Sequence, residues 1–283
     1  MPVSSLWLAC GGRLLGGALL LLVSACSVLP PVPPVPRVAP TTVGPERVAR
    51  LMDVALAHWQ RWGAREAQLL DGQPLCLLQP DGLCDTVDDG CGDERSAGLC
   101  PLVDAYWQAV PPHTPRHDCE RTDVCVTRWP VDETEPAPWT PAWSAAFVSA
   151  VLREAGFSET EFHASDGHAR YVVAARDGWA SAFDVVATPA VAVPGDLVCA
   201  VRGRIDLGSE PVPALDGGHP ATPMHCDIVV AVDVAARRLQ AVGGNVQQTV
   251  ARTTLELDAA GRVSAALNPF GRWVLVMRLR RAP

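Results

Sequence analysis

The chain contains no lysine: all 23 basic residues are arginine, they face 31 acidic ones, and the net charge is −8. A surplus of negative charge excludes a general nucleic-acid role, which needs a basic face to neutralise phosphates. The missing lysine itself reflects a GC-rich genome more than function. Long apolar runs are also missing. The run Leu14–Val23 is too short to span a bilayer as a permanent helix. Metal-site spacings are lacking as well. Cys76, Cys84, Cys91 and Cys100 do not form the close pairs of a zinc ribbon, and Asp85, Asp88, Asp89 and Asp93 miss the calcium-loop pattern. No metal or cofactor is therefore expected.

Cysteine, by contrast, is plentiful at ten. The N-terminus has one positive charge, a short apolar run and Val23-Ser-Ala-Cys26, which resembles a bacterial lipoprotein cleavage box. Residues 1–25 are read as a signal peptide and Cys26 as the lipidated residue. An ordinary secretory signal is the alternative. Ser27 is not aspartate, which by resemblance to lipoprotein sorting implies the outer membrane, facing the periplasm. Residues 26–45 are rich in proline and read as a semi-rigid tether. Cys10 leaves with the signal, so eight cysteines remain: Cys76, Cys84, Cys91, Cys100, Cys119, Cys125, Cys199 and Cys226. An even number in an exported chain points to disulfides. A cross-strand bridge between Cys199 and Cys226 is possible; the pairing of the other six is open.

Apolar spacing predicts a first helix over Pro45–Leu70, a disulfide-pinned loop over Cys76–Cys100 and a short helix over Leu102–Val110. Residues 46–138 thus read as a helical, Cys-rich extension. The next segment carries the chemistry. Thr140 is a good N-cap, Pro141 suits the first helical position, Phe147, Val148, Val151, Leu152 and Ala155 recur at helical spacing, and Gly156 supplies a left-handed stop. Ser144 then sits near the positive end of a buried helix. A second helix is predicted from Ser165 to about Arg176, with His168 and Tyr171 three apart on one face. His225-Cys-Asp-Ile-Val-Val alternates as a strand, placing His225 and Asp227 together. If it forms a hairpin with Leu239–Asn245, pairing Val232 with Leu239, then Asn245 falls opposite Cys226; a shift of one would put it across from His225.

These residues resemble a known family. Trp143-Ser-Ala-Ala-Phe-Val, Pro194-Gly-Asp-Leu-Val-Cys, His225-Cys-Asp-Ile-Val-Val and Gly243-Gly-Asn-Val are similar to an uncharacterised bacterial family at the edge of the CHAP and NlpC cell-wall amidases, within the papain-like superfamily. The resemblance covers roughly residues 139–276. It implies an α+β papain-like domain over 139–283, its helix packed on a mainly antiparallel sheet. It also implies that Ser144 takes the place of the nucleophilic cysteine and that His225 is the base. The acidic residue that often precedes Gly-Asn in the amidases is replaced by Gly243, so only Asn245 carries over as orienter. The family shows a similar His-x-x-Tyr, so His168 could line the cleft, with Trp143, Tyr171 and Asp227 beside it. Asp227 is a poorer orienter than Asn245, since two residues along a strand span about 6.6 Å.

Serine in place of cysteine narrows the available chemistry. A thiol at a helix N-terminus beside histidine is partly ionised, whereas a hydroxyl must lose its proton to a base during attack. Three readings stand: a Ser-His-Asn amide hydrolase acting on peptidoglycan or another envelope peptide, a silent binding groove for wall fragments or a protein partner, and a helix serine bonded back to the Thr140 carbonyl. The membrane enters only through the lipid anchor. Mass spectrometry of the mature N-terminus should find residues 1–25 removed and Cys26 carrying a lipid; an unmodified N-terminus overturns the anchor.

Overall fold

The structure is a computed structural model and describes residues 37–69, 75–79, 81–85, 93–96, 98–113, 142–203, 205, 207–264, 267–268 and 271–283. Cys26, Cys91, Cys119, Cys125, Thr140 and Pro141 lie outside the described residues. In chain order the elements are α1 (Pro45–Arg61), β1 (Arg65–Leu69), β2 (Cys76–Leu78), β3 (Cys84–Asp85), a 3-10 turn (Asp93–Arg95), α2 (Cys100–Trp107), α3 (Ser144–Glu154) and α4 (His168–Arg176). They continue as β4 (Phe183–Ala187), β5 (Leu197–Arg202), α5 (Pro211–Ala214), β6 (Met224–Asp233), β7 (Arg238–Val246), β8 (Thr249–Glu256), β9 (Leu267–Asn268) and β10 (Gly271–Leu279). This is an α+β architecture. No helix among the described residues is long and apolar enough to cross a membrane.

One sheet runs in the order β3-β2-β1-β8-β7-β6-β5-β10-β4, with β9 on β10. It is mixed: β1 pairs parallel to β8, and the other ladders are antiparallel. The sequence predicts helix as far as Leu70, but α1 stops at Arg61. Gly63 and Ala64 adopt φ of 84° and 55°, the left-handed conformation that ends a helix. The chain then becomes β1, and the predicted Cys76–Cys100 loop contains β2, β3 and the 3-10 turn. The extension is thus part of the sheet. The end of the predicted tether is seated on the body too: Val38 and Thr41 amides donate to the Gly178 and Ser181 carbonyls, and Val43 bonds in both directions with the strand end at Arg280–Ala282.

Helix α3 is buried nearly all round, packed against α1, α2, β6 and β7. It begins at Ser144, with Trp143 as its N-cap residue. Its far end matches the expectation from sequence: Gly156 has φ 89°, its amide donates to the Arg153 carbonyl, and the Phe157 amide donates to that of Leu152. The larger core joins α1–α4 to strand residues such as Leu197, Cys199, Cys226, Ile228 and Met277. A second cluster around Val198, Ala200, Val229, Leu239 and Val276 is covered by Ala190, Ala192, Leu257 and Val263. Covered on both faces, β5 is buried from Leu197 to Val201, which is why it reads as a continuous apolar run.

Pro194-Gly-Asp has a structural task. Gly195 turns with φ 94°, and buried Asp196 accepts from the amides of Val193 and Leu279 at 2.9 and 3.0 Å and from Arg281 at 2.9 Å. That carboxylate ties the entry of β5 to the end of β10. Burial raises its pKa against the pull of these donors.

Cys199 and Cys226 are directly paired across β5 and β6 and joined by a disulfide, and a second disulfide links Cys76 to Cys84. Neither Cys199 nor Cys226 is a free thiol. The Cys199–Cys226 bridge closes a chain separation of 27 residues, for which loop-closure entropy gives about 3.5 kcal/mol of stabilisation. Urea unfolding of a Cys199→Ala, Cys226→Ala double variant should show a loss of that order; an unchanged midpoint contradicts it.

Candidate functional site

The site begins with an aromatic clamp. Trp143 stacks on Trp62 and Tyr106 at centroid distances of 5.2 and 5.7 Å, and its indole Nε1 donates to the buried carboxylate of Glu94. The Tyr106 hydroxyl accepts from Trp62 Nε1 at 2.9 Å and meets His58 Nδ1 at 3.1 Å. His58 itself lies on α1 against Glu154, so it belongs to this packing network. Gly244 of β7 completes the clamp. A Cβ there would stand 2.5 Å from Phe147 Cβ and 2.7 Å from the Trp143 ring. Only glycine lets the first turn of α3 lie this close to the strand.

That closeness fixes Ser144. As the first residue of α3 it precedes amides that have no carbonyl within the helix to receive them. Its Oγ lies 2.6 Å from Nε2 of His168, the first residue of α4. The other ring nitrogen of His168, Nδ1, is hydrogen-bonded to the Tyr171 hydroxyl one turn on. The loop that delivers His168 is pinned to α3, because Ser149 Oγ donates to the Ser165 carbonyl and accepts from its amide, both at 3.1 Å. The sequence placed His168 and Tyr171 on one helix face; it did not reveal that His168 meets the serine.

His225 and Asp227 form a second unit on β6. Nε2 of His225 is 2.8 Å from Asp227 Oδ1. The spacing along the strand suggested too wide a gap, but the side chains lean together over Gly243 of β7. A Cβ on Gly243 would overlap the Asp227 carboxylate and approach His225 Nε2 to 3.3 Å. The lack of a side chain at Gly243 is therefore what makes room for Asp227. Nδ1 of His225 is buried and has no hydrogen-bond partner among the described residues. The two imidazoles are neighbours, with ring centroids 5.3 Å apart.

Asn245 is placed differently. The hairpin pairs Val232 with Leu239 as the alternation suggests, and a bulge between Val229 and Ala231 shifts the register by one, so that Ile228 faces Val242. Pairing stops there. Asn245 sits in a second irregularity, between Gly243 and Val246, with φ 56°, and no hydrogen bond joins it to His225 among the described residues. The partner found at His225 Nε2 is Asp227.

Burial controls the protons. Ser144 is 3% exposed and His168 5%. His168 has a pKa well below its ordinary 6.5, first because burial disfavours its charge, then because His225 and Arg202 oppose a second positive charge. Tyr171, fully buried and facing the charge of Asp227, is pushed well above its ordinary 10 and stays protonated. Two imidazoliums 5.3 Å apart would repel by roughly 3 kcal/mol at an effective dielectric of about 20. Among the described residues no group of three His, Cys, Asp or Glu is placed to hold a metal ion.

A family model described as "Uncharacterized protein conserved in bacteria (DUF2272)" matches residues 94–279, more than half of the chain. The chain belongs to the DUF2272 family. The DUF2272 region runs from Glu94, which holds Trp143, through Ser144, both site histidines and Asp227 to the end of β10. No curated protein and no solved structure matches the chain.

His168 also makes a prediction about stability. Between its depressed folded pKa and the ordinary 6.5, the unfolded chain binds a proton that the folded chain refuses. The contribution is complete above the ordinary value and is lost as pH falls below it. Urea unfolding from pH 7 to pH 5 should show stability falling more steeply in wild type than in His168→Gln; equal slopes contradict a buried neutral His168.

Proposed function

We propose that the chain is an amide hydrolase of the cell envelope, acting on peptidoglycan peptides or a related envelope peptide, with Ser144 as nucleophile. The contact that carries this reading is the 2.6 Å approach of Ser144 Oγ to His168 Nε2 at a helix N-terminus. A serine needs a base that is neutral when attack begins, and burial keeps His168 neutral. With its proton on Nδ1, toward Tyr171, His168 presents a lone pair at Nε2 to the hydroxyl. The amides opening α3, which have no carbonyl partner within the helix, lie where an oxyanion could be held. The base in this arrangement is His168 rather than the His225 that the resemblance implies, and the orienting group of His225 is Asp227 rather than Asn245. The likeness of the quoted motifs to the CHAP and NlpC amidases supports the substrate class, and the lipoprotein-like N-terminus supports an outer-membrane anchor at Cys26.

One observation favours the second reading, a papain-like lipoprotein that binds wall fragments or a protein partner without cutting them. Ser144, His168 and Asp227 are all nearly inaccessible, so a substrate must displace a cover before it reaches the hydroxyl. The discriminating experiment incubates purified peptidoglycan with the full chain and measures soluble peptides and amino sugars. Wild type should release them, and Ser144→Ala and His168→Ala should each lose about 10³-fold or more, the scale expected for removing a nucleophile or its base. Co-sedimentation with intact wall and no release would instead establish the binding protein.

A further inference from the structure

The site contains more acid–base machinery than activation of Ser144 requires. His168 suffices for the serine, yet a second imidazole stands 5.3 Å away with its own carboxylate and a buried Nδ1 that has no partner among the described residues. We infer that the two histidines divide the proton transfers: His168 serves the Ser144 oxygen, and His225, held at Nε2 by Asp227, serves the leaving group and then the hydrolytic water through Nδ1. This rests on the reading of Ser144 as nucleophile.

Charge and position separate the two roles. Asp227 stands 2.8 Å from His225 Nε2 and puts a carboxylate on that side of the pair. His168, whose ring contacts are the two hydroxyls of Ser144 and Tyr171, has no carboxylate bonded to it among the described residues. In this division of labour His168 starts neutral, and the proton to be delivered starts on His225 Nδ1. As Ser144 Oγ bonds to the carbonyl carbon, its proton passes to His168 Nε2 and the carbonyl electrons move to oxygen, while His225 Nδ1 gives its proton to the amide nitrogen, so the two rings never carry two charges at once. Collapse then re-forms the carbonyl and breaks the C–N bond, its electron pair staying on the already protonated nitrogen. In the second half, water adds to the acyl carbon and gives its proton to His225 Nδ1 as His168 returns its proton to the departing Ser144 Oγ. Amide and water have become acid and amine, and both histidines are restored.

A single histidine would perform these transfers in turn through one nitrogen. Here His168 is hydrogen-bonded to Tyr171, His225 lies against the Asp227 carboxylate at 2.8 Å, and Gly243 leaves no side chain of its own between Asp227 and β7. Asp227 is accordingly a positioning residue, acting through His225.

The test uses the full chain and two aryl acetates that differ in need of a proton at the leaving oxygen: p-nitrophenyl acetate, which needs little, and p-methoxyphenyl acetate, which needs one. The pre-steady-state burst isolates acylation. His225→Gln should slow the p-methoxyphenyl burst at least about 30-fold more than the p-nitrophenyl burst, within the range general acid catalysis contributes. His168→Gln should slow both by the same factor. Equal losses with both esters in His225→Gln would make His225 the base for Ser144 and overturn the division while leaving a serine hydrolase. Turnover of both esters by Ser144→Ala as fast as by wild type would remove Ser144 as nucleophile and overturn both proposals.

A wild-type measurement guards against a variant that fails to fold. The p-methoxyphenyl burst should decline on the alkaline side relative to the p-nitrophenyl burst, because only the former needs a proton delivered to its leaving oxygen; parallel profiles overturn the division. The groups governing that limb are Asp227 of β6, His168 of α4, Tyr171 of α4 through its interaction with Asp227, and Arg202 of β5, which acts on His168 and Asp227. The β7 residue beneath the pair is Gly243, which adds no charge.

Discussion

Everything at the candidate site depends on how closely the first turn of α3 lies against β7. Gly244 sets that distance, because any side chain there would occupy the space of Phe147 and the Trp143 ring. Trp143 in turn is held by stacking on Trp62 and Tyr106 and by Glu94. Aromatic pairs of this kind contribute about 0.5–1.5 kcal/mol each beyond their buried area. The clamp draws on the Glu94 turn, α1, α2, α3 and β7, so the extension and the site form one structure. Removing the Glu94 turn would release Trp143, to which Ser144 is directly joined.

The second consequence of this packing is dryness. Ser144, His168, Tyr171 and Asp227 are buried together, and in a medium of low dielectric a lone charge is costly while a paired one is tolerated. The chain meets that requirement by giving each imidazole a different environment. His168 has hydroxyls on both nitrogens and stays neutral; His225 has a carboxylate on one nitrogen and no partner among the described residues on the other. Environments that push neighbouring titratable groups apart are the usual means by which one site holds both an acid and a base. The same burial that makes these differences strong also covers the serine, which is why hydrolysis and silent binding remain the two readings of one geometry.

Much of the fold was legible in residue order. The helix through Phe147, Val151 and Leu152, its stop at Gly156, the strand from His225 and its hairpin with Leu239 all follow from period and turn chemistry, which are local properties. So was the bridge between Cys199 and Cys226, because each cysteine lies on a predicted strand. The first helix is shorter than its apolar spacing predicts, since the residues after Trp62 continue as β1, and short apolar runs serve helix and strand alike. The three strands of the extension are not legible in the sequence for the same reason: each is short, and β1 gains its partner β8 nearly two hundred residues away.

Residue order alone supplies the chemical parts: a serine opening a buried helix, two histidines, an aspartate and two adjacent glycines, each on an element that local pattern specifies. Which of these parts meet depends on packing in three dimensions. His168 lies 24 positions from Ser144 and contacts it because Ser149 and Ser165 pin the intervening loop to α3. Asp227 reaches His225 in place of Asn245 because Gly243 opens space on β7 while a bulge turns Asn245 aside. Periodicity fixes the face on which a residue lies, but a lean of side chains over a glycine or a one-residue bulge depends on neighbours that only folding brings together.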